Sequence, residues 1–265
     1  MKIYISADIE GTTGIAHWDE TARSKPDYSD FQKQMTAEVV AACEGAINAG
    51  AKEIVIKDAH DSARNIIQSK LPECVRLIRE WSGHPYSMMH GLDDTFDAVM
   101  MTGYHSRVGS DANPLAHTFT GSVAYLKINE RLASEFLINA FTAAHVGVPV
   151  VMVTGDLGLC REVGEFNSRI LTVPVNEGSG GAIISIHPNL AIRRIEDAAR
   201  DALSGDISTC KIELPAKFIV ELGFRDYIKA YKASFYPGVK QINPQTVQFE
   251  CADYFDVLRT LMFIW

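Results

Sequence analysis

Cysteine is sparse and unpatterned in this sequence. The five cysteines, Cys43, Cys74, Cys160, Cys210 and Cys251, are odd in number and show no C-x-x-C spacing. That argues against a disulfide framework and for reduced thiols in a reducing compartment. Basic clusters are missing too: 25 Lys and Arg against 33 Asp and Glu leave a formal net charge of -8. Without a basic face, neither a nucleic acid nor an anionic membrane is an expected partner. No apolar run is long enough to span a bilayer, and the first one, Ile3-Tyr4-Ile5, is soon broken by Asp8 and Glu10. A signal peptide is therefore not expected, and the expected location is the cytoplasm. Repeats, low-complexity stretches and charge runs are also absent. What is present is an ordinary globular composition, 47% hydrophobic and 22% charged over 265 residues, enough for one large domain or a domain with a smaller companion.

The apolar pattern predicts an alternating α/β chain. Ile3-Tyr4-Ile5 reads as a strand, and residues 9–28 as a polar loop with Gly11, Gly14 and Pro26. From Ser29 to Ala49 apolar residues recur at helical spacing, with Ser29 or Asp30 as cap and Gly50 as stop. Ile54-Val55-Ile56 is a second buried strand, so a right-handed crossover and a parallel sheet follow. Further strands are expected at Phe96–Thr102, Ser122–Ile128 (antiparallel), Val148–Val153 and, weakly, Leu171–Val175, with helices at Leu132–His145 and Leu159–Phe166. The glycine-rich segment Asn176–Gly181 reads as a connector and not a phosphate cradle, because it lacks a P-loop lysine. Pro188–Leu203 is a helix, followed by strands near Ile212–Leu222 and Thr246–Cys251 and helices near Arg225–Lys232 and Ala252–Ile264. The expected fold is α/β, a mainly parallel sheet with helices on both faces, plus a smaller α+β C-terminal part. The expected boundary separates a catalytic unit, 1–185, from a C-terminal subdomain, 186–265.

Chemistry-bearing residues recur where strands end. Asp8 and Glu10 are two apart at the end of the first strand and project to one side, where their repulsion calls for a cation. The second strand runs into Asp58-Ala59-His60 and a later one into Gly103-Tyr104-His105. Open α/β sheets bind ligands at the carboxyl ends of their strands, so these residues should converge on one edge. His117 lies on a loop containing glycine and proline, and Glu135 near the start of a helix.

Taken together, Ser6-Ala7-Asp8-Ile9-Glu10-Gly11, Asp58-Ala59-His60, Gly103-Tyr104-His105, His117-Thr118, Glu135 with Asn139-Ala140, and Gly147-Val148-Pro149-Val150 through Gly155-Asp156 resemble the signatures of the DppA-type zinc D-aminopeptidases. The resemblance runs over the whole chain. It implies that Asp8, Glu10, His60, His105 and Glu135 ligate two zinc ions per chain and that His117 is the catalytic histidine. It also implies release of N-terminal D-amino acids, D-alanine among them, from short peptides by a ring-shaped homodecamer. Asn129-Glu130 and Ser134 depart from the family's Asn-Gly and Gly, which bears on substrate preference. Two histidines and three carboxylates suit zinc, and five ligands serve two ions only if one bridges, for which Asp8 is the choice. For the substrate's ammonium Asp111 and Asp156 are candidates. The rival readings are another metal-dependent amidohydrolase or phosphoesterase, and a non-catalytic metal-dependent binding protein. Met88, Met89, Phe235, Tyr236 and Phe263-Ile264-Trp265 are expected near the surface as interface residues.

Overall fold

The computed structural model describes residues 1–265. In chain order the elements are β1 (Lys2–Ala7), α1 (Tyr28–Asn48), β2 (Glu53–Asp58), β3 (Val75–Ile78), β4 (Ala98–Tyr104), β5 (Val123–Ile128), β6 (Arg131–Leu132), α2 (Glu135–His145), β7 (Val150–Asp156), α3 (Leu157–Phe166), β8 (Leu171–Ser179), β9 (Ala182–Ser185), α4 (Pro188–Ser204), β10 (Phe218–Phe224), α5 (Tyr227–Ala233), β11 (Lys240–Asn243), β12 (Thr246–Cys251) and α6 (Tyr254–Ile264). The larger sheet has seven strands in the order β3-β2-β1-β4-β7-β8-β9. All neighbours are parallel except β8 and β9. Every residue of β4 and β7 is buried, because helices flank the sheet and leave neither face to water. The chain runs outward from β1 to β3 and returns on the other side of β1 as β4. That reversal between β1 and β4 is the crevice where such sheets take ligands.

The smaller sheet is antiparallel, in the order β11-β12-β10-β5-β6. It pairs β5 with β10, and α4 packs on α1 so closely that a Cβ on Gly45 would meet the Glu196 carbonyl at 2.2 Å. The line between 185 and 186 therefore crosses both layers.

Local differences from the sequence-based expectations have physical causes. Helix α1 starts at Tyr28, with Asp27 at the cap position and no side-chain cap. Helix α2 begins at Glu135 and not Leu132, because Arg131-Leu132 is held as a strand against Lys127 and Ile128. Its cap is Ser134, which accepts from the Leu137 amide and donates to Glu162 at 2.5 Å. Asn176–Ser179 extends β8, and a Cβ on Gly178 would meet Ala112 backbone at 2.4 Å, so that glycine serves close packing. Met88, Met89 and Ile264 are buried, contrary to the surface expected of them. The turn carrying Met88 tucks in, its carbonyl accepting from Ser6 Oγ at 2.9 Å and its sulfur from Asn139 Nδ2 at 3.3 Å.

Candidate active site

Three glycines let the strand ends close up. A Cβ on Gly11 would lie 1.7 Å from the Tyr104 carbonyl oxygen, one on Gly103 2.2 Å from that of Asp8, and one on Gly155 1.9 Å from that of Tyr104. Gly103 also has φ of +67°, which L side chains avoid. The Gly11 amide donates to the Gly103 carbonyl at 2.8 Å, pinning the turn that carries Asp8 and Glu10 against the turn that carries His105. Below, Ser6 Oγ and Tyr104 Oη lie 2.7 Å apart, and Asn139 donates to Tyr104 at 2.9 Å, so β1, β4 and α2 are tied by one buried polar chain.

The expected residues converge. His60 Nδ1 is 3.4 Å from Asp8 Oδ1 and 3.0 Å from Glu10 Oε2. On the other flank His105 Nε2 is 3.5 Å from Asp8 Oδ2 and 3.6 Å from Glu135 Oε1. Asp8 thus belongs to two donor sets, one with Glu10 and His60 and one with His105 and Glu135, the donor atoms of each within 4.8 Å of one another. Glu10, His105 and His117 make a third such set. His117 Nε2 sits 3.7 Å from Glu135 Oε1 and 4.0 Å from Glu10 Oε1, and its ring stacks on His105 at 4.4 Å. It differs from the other five in standing further out, with its side chain 16% exposed against 9% or less for theirs.

Each histidine is oriented by a backbone carbonyl. His60 Nε2–H donates to Thr21 at 3.1 Å, His105 Nδ1–H to Ser106 at 2.9 Å and His117 Nδ1–H to Leu115 at 3.0 Å. Bonds of this kind fix the ring orientation, so the other ring nitrogen faces the carboxylates, where it could give up its proton to a metal as metal-ligating histidines do. Asp58 organises the loop behind His60 by accepting from the Asn65 and Ile66 amides, while Asn65 donates to the His60 carbonyl. Glu135, first in its helix, also accepts from the Phe119 amide at 2.6 Å, joining the His117 loop to α2.

The electrostatics call for added positive charge. Burial and the neighbouring Glu10 raise the Asp8 carboxyl well above the usual carboxylate range. Burial also disfavours ionised Glu10 and Glu135, but the nearby histidines outweigh it and hold both low. His60 and His105 are pushed well above their ordinary range despite burial, because the carboxylates surround them. Asp8 Oδ2 and His105 Nε2 are buried without a hydrogen-bond partner. Orphaned buried acceptors in a nitrogen and oxygen donor set fit divalent zinc.

This floor opens into a cavity of about 720 Å³, also lined by Trp18, Arg23, Arg64, Trp81 and Phe119. Asp156 is not among its walls: buried at the end of β7, it caps α3 and accepts from Ser106 and Asn113. Asp111 lies outside the cavity as well. Glu130 sits in the β5–β6 turn and Ser134 at a helix cap, both away from the cavity lining.

A family model described as D-aminopeptidase matches residues 1–263. The chain belongs to the D-aminopeptidase family. It is 30% identical to the D-aminopeptidase of Bacillus subtilis (strain 168) over 266 aligned positions, covering 99% of this chain and 96% of that protein. Among solved structures it resembles the Zn-dependent D-aminopeptidase DppA from Bacillus subtilis, described as a self-compartmentalizing protease. The TM-score is 0.94 at 28% identity, over 100% of this chain and 96% of that one. This D-aminopeptidase family member therefore carries its donor sets on the fold of a zinc-dependent peptidase. The cavity walls Trp18, Arg23, Arg64 and Trp81 were not singled out from the sequence. Tryptophans within polar loops were the signal available.

Proposed function

We propose that the protein is a binuclear zinc aminopeptidase that releases N-terminal D-amino acids, D-alanine among them, from short peptides. The observation that carries this reading is Asp8 shared between two donor sets at the sheet's reversal point. Asp8 would bridge the two ions, with Glu10 and His60 holding one and His105 and Glu135 the other. When bound, the zinc pair polarises the scissile carbonyl and lowers the pKa of a water to near neutrality.

The chain's own groups do the remaining work. His117 is the catalytic histidine: its Nδ1–H is fixed on Leu115, so Nε2 can take a proton from the attacking water and return it to the leaving amine. Trp18 packs edge-on to His117 at 5.2 Å between ring centres and screens it from bulk water. A cavity of about 720 Å³ suits a short peptide and excludes a folded one.

Assembly as a ring-shaped homodecamer is part of the proposal. It is supported by the exposed Tyr227, Ile228, Tyr231 and Phe235 on and beside α5, by Phe263 on α6, and by the description of the related structure. A cytoplasmic setting is consistent with five cysteines that are all free. The test is amine release from D-alanyl and L-alanyl p-nitroanilides by the zinc-loaded protein, paired with metal analysis. Release from the D form alone with two zinc per chain is expected; cleavage of neither form, or of the L form alone, would overturn the reading.

A further inference from the structure

We infer that Arg23 and Arg64, on the cavity wall, form a subsite for the C-terminal carboxylate of the substrate, so that the enzyme selects short peptides with a free carboxyl end. The inference rests on the aminopeptidase reading above and deepens it. The floor of the cavity is acidic, whereas Arg23 and Arg64 are the sole Arg or Lys residues lining it. A short peptide carries the complementary pair of charges, an ammonium at the end being cleaved and a carboxylate at the other.

Each guanidinium group keeps nitrogens available for such a ligand, although Arg23 also lies beside the Tyr28 hydroxyl. Arg23 makes no ion pair with any acid of the chain, and one of its nitrogens donates to the Arg64 carbonyl at 2.7 Å. Arg64 engages Glu80 through Nε alone, at 3.0 Å, and both partners are about half exposed, where such a pair holds weakly. The guanidinium nitrogens left over from these contacts match carboxylate geometry.

Arg64 is mounted on a braced loop that also carries His60. Arg64 is four residues after His60 in a loop where Asp61 and Ala63 have φ of 40° and 49°, although neither is glycine. Such backbone persists only where the surroundings hold it. Here the Ala63 amide donates to the His60 carbonyl at 2.7 Å, the Glu80 amide to the Ala63 carbonyl at 3.0 Å, and Trp81 Nε1 to the Asp61 carbonyl at 2.6 Å. The Arg23–Arg64 bond then joins the loop after β1 to this one. One short strained loop therefore carries a donor for the scissile end and a cation for the far end, which sets the span between them and acts as a length gauge.

The experiment compares D-Ala-Gly-Gly, its C-terminal amide and the amide of D-Ala-Gly-D-Glu as substrates of the zinc-loaded enzyme and of Arg23→Ala, Arg64→Ala and Arg23→Lys. Wild type should favour the free acid about ten- to a hundred-fold in kcat/KM, mostly through KM, the scale of a charged hydrogen bond. Both alanine variants should lose most of that preference, kcat/KM on the acid falling to that on the amide mainly through a raised KM, and Arg23→Lys should restore part of it. Equal rates on acid and amide, or variants that weaken both alike, would overturn the subsite. Recovery with the glutamyl amide would assign it to a side-chain carboxylate instead, and overturn it as a C-terminal site. Cleavage of no D-peptide would defeat the aminopeptidase reading alone. Calorimetric binding of acid against amide to the zinc-loaded protein would then still decide the subsite, tighter binding of the acid supporting it and equal binding refuting it.

Discussion

Replacing Gly11 with Ala isolates the close approach on which the metal floor is built. The new Cβ would lie 1.7 Å from the Tyr104 carbonyl oxygen and 2.6 Å from its carbon, whereas real contacts of this kind are rarely below 3.0 Å. Backbone must therefore shift by roughly 1.5 Å, since a carbonyl cannot swing aside as a side chain does. The shift would break the 2.8 Å bond from the Gly11 amide to Gly103 and move Glu10 and His105, the residues adjoining the two turns. Overpacking costs about 1–3 kcal/mol and more where backbone must yield, so Gly11→Ala should lose about 3 kcal/mol or more of stability. A misplacement on the order of 1 Å at a catalytic constellation should cost about a hundred-fold in turnover. Gly50→Ala is the control: its φ is +94° but nothing lies within 4 Å of the added carbon, so it should lose about 1–2 kcal/mol and no activity. Urea midpoints and D-alanyl p-nitroanilide turnover would be measured side by side. If Gly11→Ala matched Gly50→Ala in both, the contact between the β1 and β4 turns would not be what positions the site.

Further outcomes are open to measurement. Asp8→Ala should abolish activity and remove more than one zinc equivalent after dialysis, since the bridge serves both donor sets; retention of two zinc per chain would show that Asp8 is not the bridge. His117→Ala should cut turnover by about a hundred-fold or more and leave zinc bound, and loss of metal together with activity would make His117 a ligand. Lys57 is buried with Nζ on the Asp58 and Glu80 carbonyls, and burial lowers its pKa to about 8. An unfolded lysine keeps its proton to about pH 10.4, so between those values the unfolded chain binds more protons and Lys57 adds stability as pH rises. The stability of wild type relative to Lys57→Met should therefore climb from pH 8 to 10, and parallel curves would refute the assignment. Tyr231→Glu with Phe235→Glu should lower the mass seen by light scattering, because both rings are exposed, on and just beyond α5; an unchanged mass would place the interface elsewhere.

The order of the principal strands and helices was legible in the residues themselves, because apolar periodicity records which faces a segment buries, whereas the short strands β3, β6, β9 and β11 were not expected. So was the gathering of Asp8, Glu10, His60 and His105, since parallel strands joined by right-handed crossovers present their carboxyl ends along one edge. Segments at the edges of packed layers were read less well. Leu132 reads as the start of a helix and belongs to a strand because Lys127 pairs with it, and Met88 looks like surface until Ser6 and Asn139 close over it. The rest was decided only by tertiary structure. Asp8 stands between two donor sets because Gly11, Gly103 and Gly155 let three strand ends close to backbone contact, which spacing along one segment does not encode. One ring nitrogen each of His60, His105 and His117 faces the floor because separate backbone carbonyls bind the other. Arg23 and Arg64 share a wall through a bond spanning 41 residues of sequence. Local pattern specifies which side of an element is buried; which groups meet there depends on contacts between segments far apart in the chain.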